Sequence, residues 1–565
     1  MTRVLLLLLL AFPAAASDFT IAWISRAPEI DYVWGSANPS ADGWPLAGTS
    51  VTWRAQVRNF SLAPATVPYV WRIDGAEVAR GSVTLTPDAI TTVELPWLWT
   101  FNRHRIAFEL DGTKQLEVFS DALSLGLWVE QSFYDYFREN QPNLGIGSTG
   151  FEDWAQRTVG LFNDMAALAV YPETPQGVLD RMRVQKIVIV PDGALPLSGL
   201  PADASLGANG ATHPDQHDRT VDLMWGFRKA TLGSYARGLK LDPLNWFYTG
   251  VGALHELGHA RYLVDVYAWD AIHKPPYFVI DVPGVTPGDA GALVHRTPEQ
   301  GFMNKHYSYI DRYSAVAMNL IAGRRAVSGN YNEPRNFAAF LNDFPAQNRI
   351  TIRDESGVAI ADADVFIYQA APTMPTPDWY GAHFDATPDL TLRTDARGQV
   401  LVGRSPFAAD GKVVHAADFN NGVAIIRVVK NGISRAGFLE SRLFNLAWWR
   451  GQTAFADHEL ITVRECGLEG PRLNGPEWDA QTAGPVTLAW EPMVEATRFR
   501  VYASSNLAPP RLIANTTTPS VDVRMNGSVY WWVEADLGVC GTRRSYPSRF
   551  LAQNDTVLRR RTARK

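Results

Sequence analysis

The stretch from His255 to Tyr267, HELGHARYLVDVY, constrains this chain more than any other. Two histidines four positions apart enclose a glutamate, and the residues before them read as the start of a helix. Asp242 precedes Pro243, an N-cap followed by proline at the first helical position. Leu244, Phe247, Tyr248, Val251 and Leu254 then recur at helical spacing. A helix is therefore expected to begin near 243 and to carry His255, Glu256 and His259. Positions four apart lie about 40° from one another around a helix, so both imidazoles share one face, about one turn apart. That is the arrangement two imidazoles need to hold one metal ion, with Glu256 beside the first of them and within reach of a metal-bound water. Two histidines on a helix also occur as ordinary hydrogen-bonded side chains, and the spacing alone leaves both readings open.

The residues beyond His259 extend the pattern. Asp265 stands ten positions after His255, and Tyr267 two further on. H-E-x-x-H followed in this way resembles the metzincin-type zinc peptidases of the immune-inhibitor-A group and is similar to the IgA-peptidase-like group. The resemblance covers about residues 245–325. It implies zinc as cofactor, His255, His259 and Asp265 as metal ligands, Glu256 as general base, and a methionine in a tight turn beneath the metal. EQGFMNKHY supplies Met303 for that turn, with Met318 in YSAVAMNLIAG as the reserve. His306, Tyr307 and Tyr309 follow Met303 and are candidates either for stabilising an oxyanion or for a supporting or surface role. One position departs from the family: where glycine usually stands, three residues past the second histidine, this chain has Tyr262. A helix that ran on unbroken would carry Asp265 about 9 Å beyond His259 along its axis. The chain must therefore break near Tyr262 or Leu263 for Asp265 to reach a shared ion. The rival third ligand is Glu299, as in gluzincins, although TPEQGF does not read as the centre of a helix. His295 and His306 are further alternatives.

Such a site implies hydrolysis of an amide by metal-activated water, Glu256 taking the proton and passing it to the leaving amine. Resemblance and export together make a protein or peptide the expected substrate. His213 and His217 lie in a polar loop and read as solvated, with metal binding as the alternative, and His273, before Pro275-Pro276, reads as structural or exposed. KIVIVPDGALPLSG reads as a buried strand and turn, or as an edge strand that binds an extended peptide by strand addition. No G-x-S-x-G occurs.

At 565 residues the chain is too long for one core, and about three to five domains are expected. Residues 1–17, MTRVLLLLLLAFPAAAS, have the charged start, short apolar run and small-residue end of a secretory signal peptide. The protein is thus expected to be secreted, extracellular or periplasmic, with no transmembrane segment. Residues 18–121 alternate apolar and polar residues in short runs broken by Asp74-Gly75 and Asp111-Gly112, the pattern of an antiparallel β-sandwich. VRNFSLAPATV and LPWLWTFNRHRIAFELD in that stretch resemble the CARDB type of immunoglobulin-like module. Residues 122–345 mix helices with few strands and contain the opening motif. Residues 346–465 resemble the carboxypeptidase-regulatory-like sandwich through D-x-x-G turns, as in ITIRDESGVAIADADVFIYQA and LRTDARGQVLVG. Residues 466–552 resemble fibronectin type III, with Leu488, Trp490, Tyr502 and Tyr530 at core positions. Cys466 and Cys540 are the two cysteines, and export favours a disulfide between them. Residues 553–565 form a basic tail. The expected architecture is thus multidomain: an α+β zincin-like catalytic domain flanked by all-β immunoglobulin-like sandwiches, which serve as spacers or contact a surface or polysaccharide. A net charge of −6 gives no basic surface for nucleic acid. A different class of protein, a secreted adhesin with an inactive zincin-like domain, fits the same modules. Retention of Glu256 beside both histidines favours the enzyme.

Overall fold

The structure, a computed structural model, describes residues 19–29, 44–144, 150–197, 200, 217–218, 220–230, 245–261, 263–269, 271–272, 294–295, 301–303, 308–323, 341–370, 384, 387–416, 419–464, 470–477, 480–493, 496–505, 509–538, 542–545 and 547–553. The expected signal peptide, Asp242-Pro243, both cysteines and all of the basic tail beyond residue 553 lie outside these residues. The architecture is multidomain and mixed α+β. No helix among the described residues is long and apolar enough to cross a membrane.

At the N-terminal end, Phe19–Ala27, Ser50–Asn59 and Ile90–Leu98 form an antiparallel sheet. A four-stranded sheet, in the order Ala76–Leu85, Ala65–Ile73, Arg105–Leu110, Lys114–Phe119, shares one apolar core with it around Trp53, Trp71 and Trp99. The Asp74-Gly75 hairpin has φ of 51° and 82°, the left-handed pair that a two-residue turn of the right twist requires. Strand Phe19–Ala27 is buried along almost its whole length. Its Phe19, Ile21 and Ile24 join the first core, while Ala22 and Trp23 join the core of the next unit. Both faces are covered, so the sequence shows no polar–apolar alternation there.

The next unit is built on three parallel strands in the order Leu223–Phe227, Leu123–Glu130, Met182–Val190. The central strand is buried from end to end. Helices α1 (Gln131–Leu144) and α2 (Phe151–Leu168) pack here, with Phe133 tilted and Phe151 and Trp154 edge-on against Phe227, and Phe137 against Phe151 and Trp154. Buried Glu152 on α2 accepts the Tyr134 hydroxyl at 2.5 Å and pairs with Arg58 of the first sheet at 2.8 Å. Helix α3 (Asn245–His259) carries the motif, and α4 (Arg312–Leu320) starts on Asp311, whose Oδ1 accepts the Ser314 N–H at 3.0 Å.

Beyond 341, a sheet ordered Gln399–Gly403, Gln347–Arg353, Phe455–Ile461 packs with a five-stranded sheet that includes the hairpin Val423–Lys430/Ile433–Glu440. The D-x-x-G turns recur as expected: Asp354 and Asp395 each accept two backbone N–H groups, and Gly357 and Gly398 have φ of 82° and 76°. Helix α5 (Ser441–Trp449) follows the hairpin directly. One continuous apolar cluster runs from Leu123 on the parallel sheet through Tyr313 on α4 to Phe444 on α5 and Leu460. Tyr313 Oη donates to Asn445 Oδ1 at 3.2 Å across this junction.

The C-terminal unit has its own core around Leu488, Trp490, Val501 and Trp531. Two expected core residues lie elsewhere. Val501 and Ala503 point inward, so the alternation of the strand places Tyr502 on the opposite face, stacked on Trp532 at 5.5 Å. Tyr530 is buried on that same outer face, against Tyr309 rather than in the core.

Buried His458 donates from Nε2 to Asn348 Oδ1 at 2.9 Å and stacks on Phe444 at 4.4 Å. Burial lowers its pKa to about 4. The unfolded chain therefore binds a proton that the folded one excludes. The resulting stability is complete above about 6.5 and is lost as pH falls towards about 4, at about 1.4 kcal/mol per unit. Replacing His458 with glutamine is expected to flatten the fall in melting temperature across that window; an unchanged pH profile would refute this.

Candidate metal centre

Helix α3 ends at His259. The Arg261 N–H bonds the Gly258 carbonyl at 2.8 Å, and the Leu263 N–H reaches the same oxygen at 3.2 Å. A bond from five residues on is the one that closes a Schellman helix end, where the position before the closing donor favours glycine. That position is 262, and Tyr262 itself lies outside the described residues. The reversal brings Asp265 back against the helix. Its Oδ1 lies 3.0 Å from His255 Nε2 and 3.4 Å from His259 Nε2. All three side chains are buried, and the two imidazole centroids are 4.9 Å apart at nearly a right angle.

The backbone fixes the rings. His255 Nδ1 lies 2.8 Å from the Phe302 carbonyl oxygen, and His259 Nδ1 lies 2.8 Å from that of Leu263. A carbonyl only accepts, so each Nδ1 carries the hydrogen and each Nε2 is turned to Asp265. This tautomer is the one that leaves Nε2 to ligate. The ligand atoms of the three residues all lie within 4.8 Å of one another. Two tetrahedral ligands at the usual Zn–N and Zn–O distances stand ~3.3 Å apart, close to the two spacings found here. Two imidazole nitrogens and one carboxylate oxygen thus form a potential triad for a divalent metal. It is the one such group among the described residues.

Burial opposes a proton on His259, but the adjacent Asp265 carboxylate and Glu256 outweigh it and raise its pKa to about 9. A metal entering the triad must displace that proton. Glu256 is half-buried, and burial pushes its carboxyl above the usual range against the pull of His259 and His255.

Met303 is fully buried. Its backbone carbonyl accepts the Val266 N–H at 3.0 Å, tying the turn at 301–303 to the segment that carries Asp265. A Cβ on Gly258 would stand 2.6 Å from Met303 Sδ and 3.0 Å from the Phe302 ring, so the absence of a side chain at 258 lets this turn seat directly on the helix. Gly258→Ala gains about 1 kcal/mol of helix propensity and incurs about 1–3 kcal/mol of overpacking. Because Phe302 also orients His255, the variant is expected to lose metal affinity as well as melting temperature. Unchanged affinity would show that the close approach is unimportant to the site.

Met318 is buried on α4, and Tyr309 packs against Tyr530, its carbonyl accepting the Phe302 N–H at 2.8 Å. His217 meets the Trp128 ring edge-on at 5.4 Å. Glu299, His306, Tyr307, His213 and His273 lie outside the described residues, as does the side chain of His295. Sequence reasoning missed Gly258, the two carbonyls that orient the imidazoles, and the buried Arg261. Gly258 left a signal, since glycine inside a helix is unfavourable unless something approaches closely.

No protein-family model matches the sequence, and no curated protein matches it. Among solved structures, the major pilin SpaD from Corynebacterium diphtheriae aligns with 36% of this chain and 65% of its own at 9% identity and a TM-score of 0.13. A β-glucuronidase from glycoside hydrolase family 2 aligns with 90% of this chain and 61% of its own at 10% identity and a TM-score of 0.19. The Bacteroides uniformis β-glucuronidase aligns with 93% and 80% at 10% identity and a TM-score of 0.15. This chain spans less than two thirds of the length of the first two. Likenesses at these TM-scores carry no argument about fold or function.

Proposed function

We propose that residues 122–345 form a zinc-dependent hydrolase that cleaves peptide bonds, with His255, His259 and Asp265 as metal ligands and Glu256 as general base. The observation that carries this reading is the convergence of two backbone-oriented Nε2 atoms on one buried carboxylate, Oδ1 being 3.0 Å and 3.4 Å from them. A zinc ion bound there would supply Lewis acidity, polarising a substrate carbonyl and lowering the pKa of water to about 7.

The chain's own residues do the remainder. His255 and His259 bind through nitrogens that need no reorientation, because both Nδ1–H groups are already engaged. Asp265 adds a negative charge to a buried site and favours a cation there. Glu256, adjacent to His255 and made more basic by burial, accepts the proton of the attacking water and delivers it to the leaving amine. Met303 supplies a soft apolar floor under the helix. The flanking units, at 18–121, 346–465 and 466–552, act in this reading as immunoglobulin-like spacers or as modules for a surface or polysaccharide, in a protein exported by residues 1–17.

The test is cleavage of a peptide library by the full-length protein. Cleavage that chelator abolishes and added zinc restores is expected. Zinc-loaded protein that cleaves no peptide would overturn the hydrolase reading.

A further inference from the structure

We infer that Arg261 is a positioning residue for the metal centre, its buried ion pair with Asp180 holding the reversal that carries Asp265 onto the imidazoles. This rests on the metal-site reading above and adds to it an anchor outside the ligand set.

Arg261 is the second residue after the helix ends and is fully buried. Its Nη2 donates to Asp180 Oδ2 at 2.5 Å and to the Ile321 carbonyl at 3.0 Å. Asp180 Oδ1 in turn accepts the Gly323 N–H at 3.0 Å. Asp180 belongs to a stretch stapled to α4. Asn319 Oδ1 accepts the Leu179 N–H at 2.8 Å, Asn319 Nδ2 donates to the Gly177 carbonyl at 3.0 Å, and Arg312 pairs with Glu173 at 2.5 Å. The guanidinium therefore ties the reversal to a separate, well-fixed body.

The reversal is short. Leu263, whose carbonyl orients His259, is two residues past Arg261, and Asp265 is four past it. A shift at Arg261 thus reaches a ligand's orienting group and another ligand together. A tether from outside the loop, attached at Arg261, fixes the start of this short segment. Stability alone is a poor reason for the pair. Two desolvated charges are often no better than apolar residues of similar size, whereas their geometry fixes position.

The experiment compares the full-length protein with Arg261→Lys, the apolar pair Arg261→Met/Asp180→Leu, and a control, Arg183→Met. Arg183 is another buried arginine, lying 5.6 Å over Trp53 beside the first sheet and away from the metal centre. Zinc affinity is read by chelator competition, geometry by the visible bands of bound cobalt(II), and stability by melting temperature. Both Arg261 variants are expected to bind zinc about 10-fold or more weakly and to shift the cobalt bands. Arg183→Met is expected to keep both, whatever its melting temperature. Wild-type affinity and cobalt bands in either folded Arg261 variant would overturn the inference, as would an equal loss in Arg183→Met. Wild-type protein that binds neither ion would refute the metal-site reading itself.

Discussion

Glu256→Gln is expected to keep its metal and its fold while peptide hydrolysis falls by about 10²–10⁴-fold, the span that general-base catalysis supplies. Glutamine preserves the shape of the side chain and its place on α3 beside His255, but it cannot accept the proton. Because the wild-type carboxyl titrates above the usual range, its loss should also remove the acid limb of the pH–rate profile, which no merely structural role would do. The loss should appear in kcat at saturating substrate. Turnover near that of the wild type, in a variant with equal metal content, would show that another group is the base.

The second large effect is expected at the ligands. His255→Ala, His259→Ala and Asp265→Ala should each weaken zinc binding by more than the ~10–100-fold typical of groups that only support a ligand. The histidine variants also leave the buried Asp265 carboxylate without one of its two imidazole neighbours, at 3.0 Å and 3.4 Å, so lower stability should accompany the lost metal. Asp265→Asn keeps an oxygen in place and removes the charge, and it should fall between Asp265→Ala and the wild type. Equal affinity in wild type and Asp265→Ala would assign the third ligand elsewhere, Glu299 being the alternative that the sequence raises. Competition with a chelating dye, on the same preparations used for melting curves, separates the two effects.

Where local spacing decides the structure, the sequence was readable. The helical recurrence before His255 and the four-residue interval to His259 are local properties, and α3 carries both histidines on one face. The hairpin at Asp74-Gly75 and the turns at Asp354 and Asp395 follow from residues that tolerate or require left-handed backbone. The end of α3 was foreseeable only as a requirement: Asp265 could not reach the metal otherwise. The helix end is closed by backbone bonding to the Gly258 carbonyl, and Arg261 just beyond it pairs with Asp180; neither leaves a periodic trace. The carbonyls of Phe302 and Leu263 orient the rings through main-chain atoms that any residue type possesses. Strand Phe19–Ala27 escaped notice because it is covered on both faces. Tyr502 and Tyr530 misled for a related reason: an aromatic residue in a strand signals burial or contact without saying which face it takes.

The central claim is that His255, His259 and Asp265 together hold one divalent metal ion. Its most direct test is the metal content of the full-length protein, purified without chelator, incubated with zinc and dialysed, beside the same protein carrying His259→Ala. About one equivalent of zinc per chain in the wild type, and little in the variant, is the predicted result. Wild-type protein that retains no zinc after dialysis, or a variant that retains as much as the wild type, would contradict it.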